Sequence, residues 1–477
     1  MKLKQFFLKA FFVCCMMTMT MSAVLADNLP DLGDPSRILL PEAQEKKLGK
    51  EFMQQLRASG KVIDDPIDAQ YINGIGKRLV AAAGVKNQHF FFFFIDDPAI
   101  NSFAGPDGFI AINSGLLLET RTEDELAAVM SHEIAHVTQG HLARKLADKS
   151  NQKYSMLAGM LAAIALGHVS GEAAESAVVA TVAGSQQSML NYSREYEEEA
   201  DRVGITTLAK AGFDPNSMAA FFQHLSEIEQ LGLQPLALLS DHPITAQRVA
   251  DAENRAAQFP AYRHKSSEEY FLIKERIRVQ TTPDVHVILT HYLSAMIHMN
   301  AQNKLILQYG LGLALQANAN YAKAQEVFDT LIKASPDQLL FQLGLAGVLL
   351  DENHTRNALA ILEPAYEIYP DSYPLMIQYS YTLLKAGQAK KAQSIIEKYH
   401  LDFPEPPVPY ALLAAIQAKA GELALAYQTR ATYFMSIGAP QAALAQLSMA
   451  MKLPHNDADT KARIRAQGLE IQAEMKQ

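Results

Sequence analysis

Two histidines and a glutamate near residue 130 have the types and spacing needed to hold a metal ion and to use it. They are His132, Glu133 and His136, in the stretch 131–141. In a helix, positions four apart share a face, so His132 and His136 can bind one Zn²⁺. Glu133 lies between them and can act as general base on a water that the metal activates. The motif predicts a zinc hydrolase, although a surface helix that carries two histidines by chance has the same spacing.

The residues before the motif predict the helix that it needs. Residues 122–125 (Thr-Glu-Asp-Glu) form a capping box, with acidic side chains in the first turn, where the helix dipole favours negative charge. Leu126, Val129 and Met130 then supply an apolar stripe that leads into His132. The metal motif is therefore predicted to lie well inside a capped helix.

A histidine is a poor candidate for the third metal ligand. In metallopeptidases whose third ligand is histidine, it lies six positions after the second one, and Leu142 occupies that position here. His141 comes one position early and would lie on the wrong side of a helix that continues beyond His136. The sequence therefore argues against a three-histidine site.

A second helix offers carboxylates instead. It is expected to open near Tyr192, and it carries Glu197 and Asp201 four positions apart on one face. A site of two histidines and one glutamate takes its third ligand from such a helix. Glu197 is favoured, and the neighbouring Glu198 and Glu199 are the fallbacks.

His242 stands in a loop, Ser240-Asp241-His242-Pro243, just ahead of a predicted helix that bears Arg248. Two interpretations are about equally supported. In one, His242 is simply a residue at a helix entry, since Pro243 suits a first helical turn. In the other, it reaches the zinc site, either as a stabiliser of the oxyanion or as a fourth ligand that displaces water.

Length and composition bound the class of protein. With 477 residues, two or three domains are expected, and 49% hydrophobic with 19% charged residues describe a globular chain. The net charge of −9 argues against nucleic acid as the main partner.

The N-terminus is typical of a secretory signal peptide, expected to span residues 1–26. A basic head precedes an apolar run, and Val24-Leu25-Ala26 offers a cleavage site. The apolar run is shorter than a spanning helix needs, so a permanent anchor is the weaker alternative. Both cysteines, Cys14 and Cys15, lie here, so the mature chain is predicted to hold neither a disulfide nor a cysteine-bound metal. Residues 27–40 are expected to form a tether.

Two helices and a small sheet are predicted ahead of the metal motif. The helices cover residues 42–56 and 68–83, and the phenylalanines at 90–94 form a buried strand. Residues 109–112 are predicted to be the second strand of a hairpin around Pro106-Asp107-Gly108. That strand could offer its edge to an extended peptide, or the hairpin could be an ordinary packed one.

Residues 149–190 contain two apolar stretches, at 155–167 and 173–184, each too short to span a bilayer. A buried helical hairpin is the favoured prediction for this segment. The alternative is a mobile lid or a membrane-facing flap over the site.

Taken together, these motifs resemble the zinc metallopeptidase family of HtpX and the CaaX prenyl protease. The resemblance covers about residues 40–260 and rests on three segments: His132-Glu133-x-x-His136, Ser193-Arg194-x-x-Glu197-x-x-Ala200-Asp201, and Asp241-His242-Pro243 with Arg248. It implies Glu197 as the third zinc ligand and Asp201 as a partner that orients a metal-bound histidine. Arg248 is grouped with Asp201 among the residues that support the ligands.

The C-terminal part of the chain repeats with a period of 34 residues. Small and large residues recur at this spacing, and so do prolines: Ala324, Ala358, Ala392, Ala426; Phe328, Leu362, Ile396; Pro336, Pro370, Pro404. This pattern is typical of tetratricopeptide repeats, whose stacked helix pairs form a curved solenoid with a concave face for partners. With the signal peptide, the repeats resemble the periplasmic branch of the same family.

The expected fold is mainly α-helical with a small β-sheet. A gluzincin-like α+β metallopeptidase domain is expected at 41–262, a helical connector at 263–303 and the tetratricopeptide domain at 304–477. The expected function is that of a periplasmic zinc endopeptidase with one Zn²⁺ per chain, in which Glu133 and His242 act on the substrate.

The resemblance also implies substrates and partners. These are misassembled outer-membrane proteins and, through the repeats, the machinery that assembles them. Peripheral membrane contact is compatible with this role, and the net charge already argues against nucleic acid. The alternative is a chaperone or adaptor with a latent peptidase domain.

Overall fold

The structure is a computed structural model that describes residues 40–85, 88–148, 193–231, 238, 242–260, 262, 264–298, 301–402 and 407–475. The predicted signal peptide, the predicted tether up to residue 39 and the segment 149–190 lie outside the described residues. The described chain is mainly helical with one four-stranded sheet, which confirms the predicted fold class.

The first part of the chain combines the sheet with eight described helices. In chain order its elements are α1 (Glu42–Ala58), β1 (Val62–Ile63), α2 (Pro66–Ala83), β2 (Phe91–Ile95), β3 (Ser102–Ala104), β4 (Phe109–Asn113), α3 (Ser114–Glu119), α4 (Glu123–Thr138), α5 (His141–Asp148), α6 (Arg194–Lys210), α7 (Asn216–Leu231) and α8 (Ala246–Ala256). The helices predicted at 42–56 and 68–83 correspond to α1 and α2.

The phenylalanine run forms a strand that is covered on both faces. Phe92 and Phe94 pack into a core that includes α2 and α4, whereas Phe93 and Ile95 pack on the opposite side with residues of α1. Successive strand residues point to opposite faces, so burial on both sides requires a continuous apolar run rather than an alternating one. The buried strand predicted from this run is confirmed.

The sheet order is β1-β2-β4-β3, with β2 and β4 parallel and the other pairs antiparallel. The predicted hairpin is confirmed, since β3 and β4 pair around Pro106–Gly108, where Asp107 and Gly108 take positive φ values of 59° and 72°. Of the two alternatives for the second strand, the one in which β4 offers its edge to a peptide is wrong, because β4 is paired on both sides. The two outer strands of the sheet are β1 and β3, and of these β3 packs against α4.

Helix α4 begins as predicted but ends earlier than predicted. The Thr122 hydroxyl accepts a hydrogen bond from Glu125 N (3.2 Å). The Glu125 carboxylate accepts from Arg121 N (2.6 Å), one residue before Thr122, whose own N–H is the usual capping-box donor. The helix ends at Thr138, and Gly140 takes a φ of 62° before α5 begins at His141. The expectation of a helix that continues past His136 to His141 is therefore wrong.

Two further helices, α9 (Glu268–Thr281) and α10 (Val285–Ala295), lead to the repeats. Helix α9 is buried on several sides: Tyr270, Leu272 and Ile273 are fully covered. The Tyr270 hydroxyl donates to Thr120 O (2.8 Å), and α9 also packs against the first repeat helix. One hydrophobic core therefore continues from the first part of the chain into the repeats.

The repeats consist of helix pairs, as the period of 34 predicts. They are α11 (Ala301–Ala317), α12 (Tyr321–Ala334), α13 (Leu339–Asp351), α14 (Thr355–Ile368), α15 (Tyr373–Lys385), α16 (Ala389–Asp402), α17 (Pro407–Ala420), α18 (Leu423–Ser436), α19 (Pro440–Met451) and α20 (Ala458–Glu474). The small residues Ala324, Ala358 and Ala392 are fully buried where neighbouring helices cross, and so are the large residues four positions later.

Among the described residues, contacts between the repeats and the first part of the chain include two separate places. In the middle of the repeats, Tyr373 N donates to the Gln70 side chain of α2 (2.9 Å). At their far end, Lys50 Nζ of α1 lies 2.7 Å from a carboxylate oxygen of Glu474, and the Gln54 amide donates to Met435 O (2.7 Å). Among the described residues, no helix combines the length and the apolar character that crossing a membrane requires.

Candidate metal centre

Four buried side chains from three elements converge on one point. Helix α4 supplies His132 and His136, α6 supplies Glu197, and the loop before α8 supplies His242. One nitrogen or carboxylate oxygen from each lies within 4.8 Å of the others. Imidazole nitrogens with one carboxylate are the donor set that zinc prefers in hydrolytic sites, so these residues fit a metal ion.

The distances show how tightly the group is arranged. The Nε2 atoms of His132 and His136 lie 2.9 Å apart, and Glu197 oxygens lie 3.4 Å from each of them. His242 Nδ1 lies 2.9 Å from Glu197 Oε1 and 3.3 Å from His132 Nε2. The ring nitrogens therefore point towards a common centre, as the ligand atoms around a shared metal ion do.

Small residues allow α6 to approach α4 closely enough to form this group. A Cβ on Gly204 of α6 would lie only 3.2 Å from His132 N, and Ala200 is fully buried one turn earlier. The Ser193 hydroxyl starts the helix by accepting from Tyr196 N (3.4 Å). Helix α6 thus brings Glu197 to the histidines in its first turns.

Buried charge dominates the site. Burial alone would raise the pKa of Glu197, but the neighbouring His242, His132 and His136 hold it well below its usual value. Burial would lower the pKa of His132, yet Asp201 and Glu197 raise it to about 10. Burial lowers the pKa of His136 well below its usual value. The negative charge of Glu197 therefore favours positive charge at this point, either a proton on His132 or a metal ion that takes its place.

Asp201 and Arg248 lie directly behind the group. Asp201 Oδ1 lies 2.9 Å from His132 Nδ1, and Arg248 donates to both Asp201 oxygens, from Nε (2.7 Å) and Nη2 (2.8 Å). Arg248 Nη1 also lies 2.9 Å from Glu197 Oε2. One arginine, only 4% exposed, thus spans both carboxylates, and the structure brings both sequence-predicted supporting residues to the site.

Glu133 lies beside the group and is completely buried. Ser102 Oγ of β3 donates to Glu133 Oε1 (2.7 Å), and His242 Nε2 lies 3.7 Å from the same oxygen. Among the described residues, Glu133 Oε2 has no hydrogen-bond partner. Sequence analysis missed Ser102, because its partner is 31 positions away and no local pattern links the two.

The two fallback glutamates lie elsewhere. Glu198 is exposed, and Glu199 lies 2.9 Å from Arg144 Nη1 and 3.2 Å from His141 Nε2. His141 is a second residue that the sequence analysis misplaced: its Nδ1 lies 2.8 Å from His136 Nδ1. Burial lowers the pKa of His141 to about 4. The signal that could have found it is Gly140, a residue that commonly ends helices.

Comparison with known proteins identifies two segments of the chain. Residues 66–256 match the model of peptidase family M48, and residues 349–416 match a tetratricopeptide repeat model. A β-barrel assembly-enhancing protease of Escherichia coli K12 is 35% identical over 341 residues, which cover 71% of this chain and 70% of that protein. A Vibrio cholerae relative described by the same protease name is 38% identical over 65% of this chain and 64% of its own length. The mitochondrial metalloendopeptidase OMA1 of Schizosaccharomyces pombe is 32% identical over 38% of this chain and 51% of its own.

Proposed function

Because the chain belongs to peptidase family M48 and carries tetratricopeptide repeats, we propose that it is a zinc-dependent endopeptidase. The observation that carries the proposal is the buried group of His132, His136, Glu197 and His242 with Glu133 beside it. A surface helix with two histidines by chance would not bury five such groups together.

In this proposal, His132, His136 and Glu197 hold one Zn²⁺. The bound metal supplies a Lewis acid that polarises the scissile carbonyl and acidifies water. Glu133 accepts the proton of the attacking water and later delivers it to the leaving amine. The Ser102 hydroxyl donates to Glu133 Oε1 (2.7 Å) and so fixes the orientation of the carboxylate that receives the proton.

Strand β3 is the proposed binding edge for the substrate backbone. Of the two outer strands of the sheet, β3 is the one that packs against α4, and it contains Ser102, which contacts Glu133. A peptide added to this edge as a further strand would run past the general base with its carbonyls fixed by main-chain hydrogen bonds. An extended polypeptide segment is therefore the substrate class that this arrangement fits.

Two roles are proposed for His242, and its two ring nitrogens support different ones. The position of Nδ1, 2.9 Å from Glu197, favours a fourth ligand that takes the place of water. The position of Nε2, 3.7 Å from Glu133, favours stabilisation of the oxyanion. A fourth ligand keeps the enzyme latent, so His242→Ala would then raise cleavage, whereas loss of an oxyanion partner would lower it.

The biological setting is proposed from the names of the relatives and from the sequence. We propose a periplasmic protein with a signal peptide at 1–26, a peptidase domain at 41–262, a connector at 263–303 and repeats at 304–477. Its proposed substrates are misassembled outer-membrane proteins, and its repeats would dock their assembly machinery. The protease name of the Escherichia coli relative supports this role. A chaperone or adaptor with a latent peptidase is the competing proposal, supported by the repeats.

The decisive experiment compares zinc content and casein cleavage of the wild type and Glu133→Gln. We expect about one zinc per chain in both proteins, and cleavage lowered by roughly 10²–10⁴-fold in the variant. If Glu133→Gln still binds unfolded substrate and prevents its aggregation, that result would support the chaperone role. A wild type without zinc, or equal cleavage by the two proteins, would contradict the peptidase proposal.

A further inference from the structure

The two histidines of α4 are held differently on the side that faces away from the metal centre. His132 Nδ1 lies 2.9 Å from an Asp201 carboxylate oxygen, the kind of partner that metal-bound imidazoles commonly have. His136 Nδ1 instead lies 2.8 Å from Nδ1 of another imidazole, that of His141. His141 is fully buried and is not among the four residues that converge on the centre.

A contact between two Nδ1 atoms needs one proton, and the geometry determines where that proton lies. His136 Nε2 faces the centre, 2.9 Å from His132 Nε2, so its lone pair must be free to bind a metal. A neutral His136 then carries its proton on Nδ1 and donates to His141 Nδ1. His141 must therefore carry its own proton on Nε2, which lies 3.2 Å from Glu199 Oε2 and donates to it.

The far end of this chain of hydrogen bonds is also fixed. Arg144 Nη1 lies 2.9 Å from the Glu199 oxygen that His141 meets. The Tyr196 ring stacks on the His141 ring, with centroids 4.7 Å apart and planes 15° apart, and the Arg144 guanidinium lies 4.3 Å above the same tyrosine. His141 therefore can neither rotate nor flip without breaking several contacts.

We infer that His141 and Glu199 are positioning residues that set the tautomer and orientation of His136 for metal binding. This inference rests on the proposed zinc site and deepens it. Gly140 makes the arrangement possible, because its φ of 62° ends α4 and lets α5 start with His141 beside His136. Metal-bound histidines are commonly oriented by a carboxylate that accepts their second N–H. Here the His141 imidazole lies between the ligand His136 and the Glu199 carboxylate.

The test is metal affinity measured by competition with a chromophoric chelator, using the full-length protein and Zn²⁺. His141→Ala leaves His136 Nδ1 without its acceptor, and we expect zinc affinity to fall by about 10–100-fold. In His141→Asn, the side-chain oxygen can accept at the former Nδ1 position, so part of the affinity returns. Glu199→Gln keeps an acceptor oxygen but loses the charge, and a smaller loss is expected.

A matched control is His224→Ala. His224 is also a buried histidine beside a glutamate, with Nε2 2.9 Å from Glu119 Oε1, but it does not contact the centre. It should lose stability without losing zinc affinity. The proteins can also be loaded with Co²⁺ in place of Zn²⁺ and their visible absorption spectra compared. A spectrum that changes in His141→Ala but not in His224→Ala would support a direct effect on the metal ligands.

The outcomes separate this inference from the proposed function. A wild type that binds no zinc would overturn both. A wild type that binds zinc and needs Glu133 for cleavage, combined with wild-type affinity in His141→Ala, His141→Asn and Glu199→Gln, would overturn the positioning role alone.

Discussion

The metal centre and the repeats are both densely packed, but they are held together in different ways. In the centre the contacts are specific to individual residues: Arg248, for example, spans the Asp201 and Glu197 carboxylates. In the repeats one contact recurs, since a buried alanine and a large buried residue four positions later are found in α12, α14 and α16. The centre therefore depends on individual groups, whereas the repeats depend on a period. Substitutions in the centre should therefore lower metal affinity, whereas substitutions in the repeats should lower stability alone.

The largest effect is expected from Arg248→Ala. This change leaves the Asp201 and Glu197 carboxylates buried without their counter-charge, at a cost of roughly 3–5 kcal/mol in the free energy of unfolding. Because Asp201 then no longer holds His132, zinc affinity should also fall by about 10–100-fold. Thermal unfolding and chelator competition measure the two losses.

Arg248→Lys is the matched control for charge. Lysine keeps the positive charge but lacks the planar fork that meets both Asp201 oxygens, so only partial recovery is expected. Wild-type zinc affinity in Arg248→Ala would mean that the centre does not depend on this arginine.

An intermediate effect, confined to stability, is expected from Gly344→Ala in α13. Alanine normally stabilises a helix by about 1 kcal/mol relative to glycine. Here the added Cβ would lie 2.3 Å from the buried Phe328 ring, and such overpacking costs about 1–3 kcal/mol. The clash should outweigh the gain, so the urea midpoint should fall while zinc affinity stays unchanged.

Gly347→Ala, on the same helix, is the control for this prediction. A Cβ there would meet only the Gln316 and Gln378 side chains, with the nearest atom at 3.2 Å, and these flexible groups can move aside. Equal or greater stability is expected. If both variants behaved alike, the packing of Phe328 would not be the reason that position 344 is glycine.

The smallest effect is expected at the junction between the two regions, as a change with pH. Lys274 of α9 donates to Thr120 O, and burial lowers its pKa from 10.5 to about 8. Between these values the unfolded chain keeps the proton and the native protein does not, so stability should rise with pH. Urea unfolding of the wild type and Lys274→Met at pH 8 and 9.5 tests this. The free energy of unfolding should rise less between the two pH values in Lys274→Met than in the wild type. An equal rise in both proteins would contradict the lowered pKa of Lys274.

Much of the centre could be predicted because its signals are local. The spacing of His132 and His136, the capping residues before them and the acidic pair on α6 are each visible within one helix. The structure brings Glu197, Asp201 and Arg248 to the positions that the sequence suggested. The period of 34 likewise predicted the helix pairs, because each repeat unit buries the same positions against its neighbours.

The missed features depend on contacts between distant segments. Ser102 reaches Glu133 only because β3 lies at the outer edge of the sheet, and strand order is not encoded in either strand alone. His141 was placed on the wrong side because the helix was assumed to continue past Gly140. Helix α9 lies in the segment predicted to be a helical connector, yet Tyr270 and Ile273 bury it in a core shared by both regions.

The contact between Lys50 and Glu474 has a consequence for how the molecule is assembled. It joins residues 424 positions apart, and the hydrogen bond from Gln54 to Met435 joins the same two parts of the chain. Helices α1 and α20 can meet only after every repeat between them has been synthesised and stacked, and closing so long a loop costs entropy. During synthesis, the surface of α1 that carries Lys50 and Gln54 therefore stays uncovered until the last described helix has been made. The exposed ion pair itself contributes little to stability, but its formation marks a solenoid whose repeats are all in register.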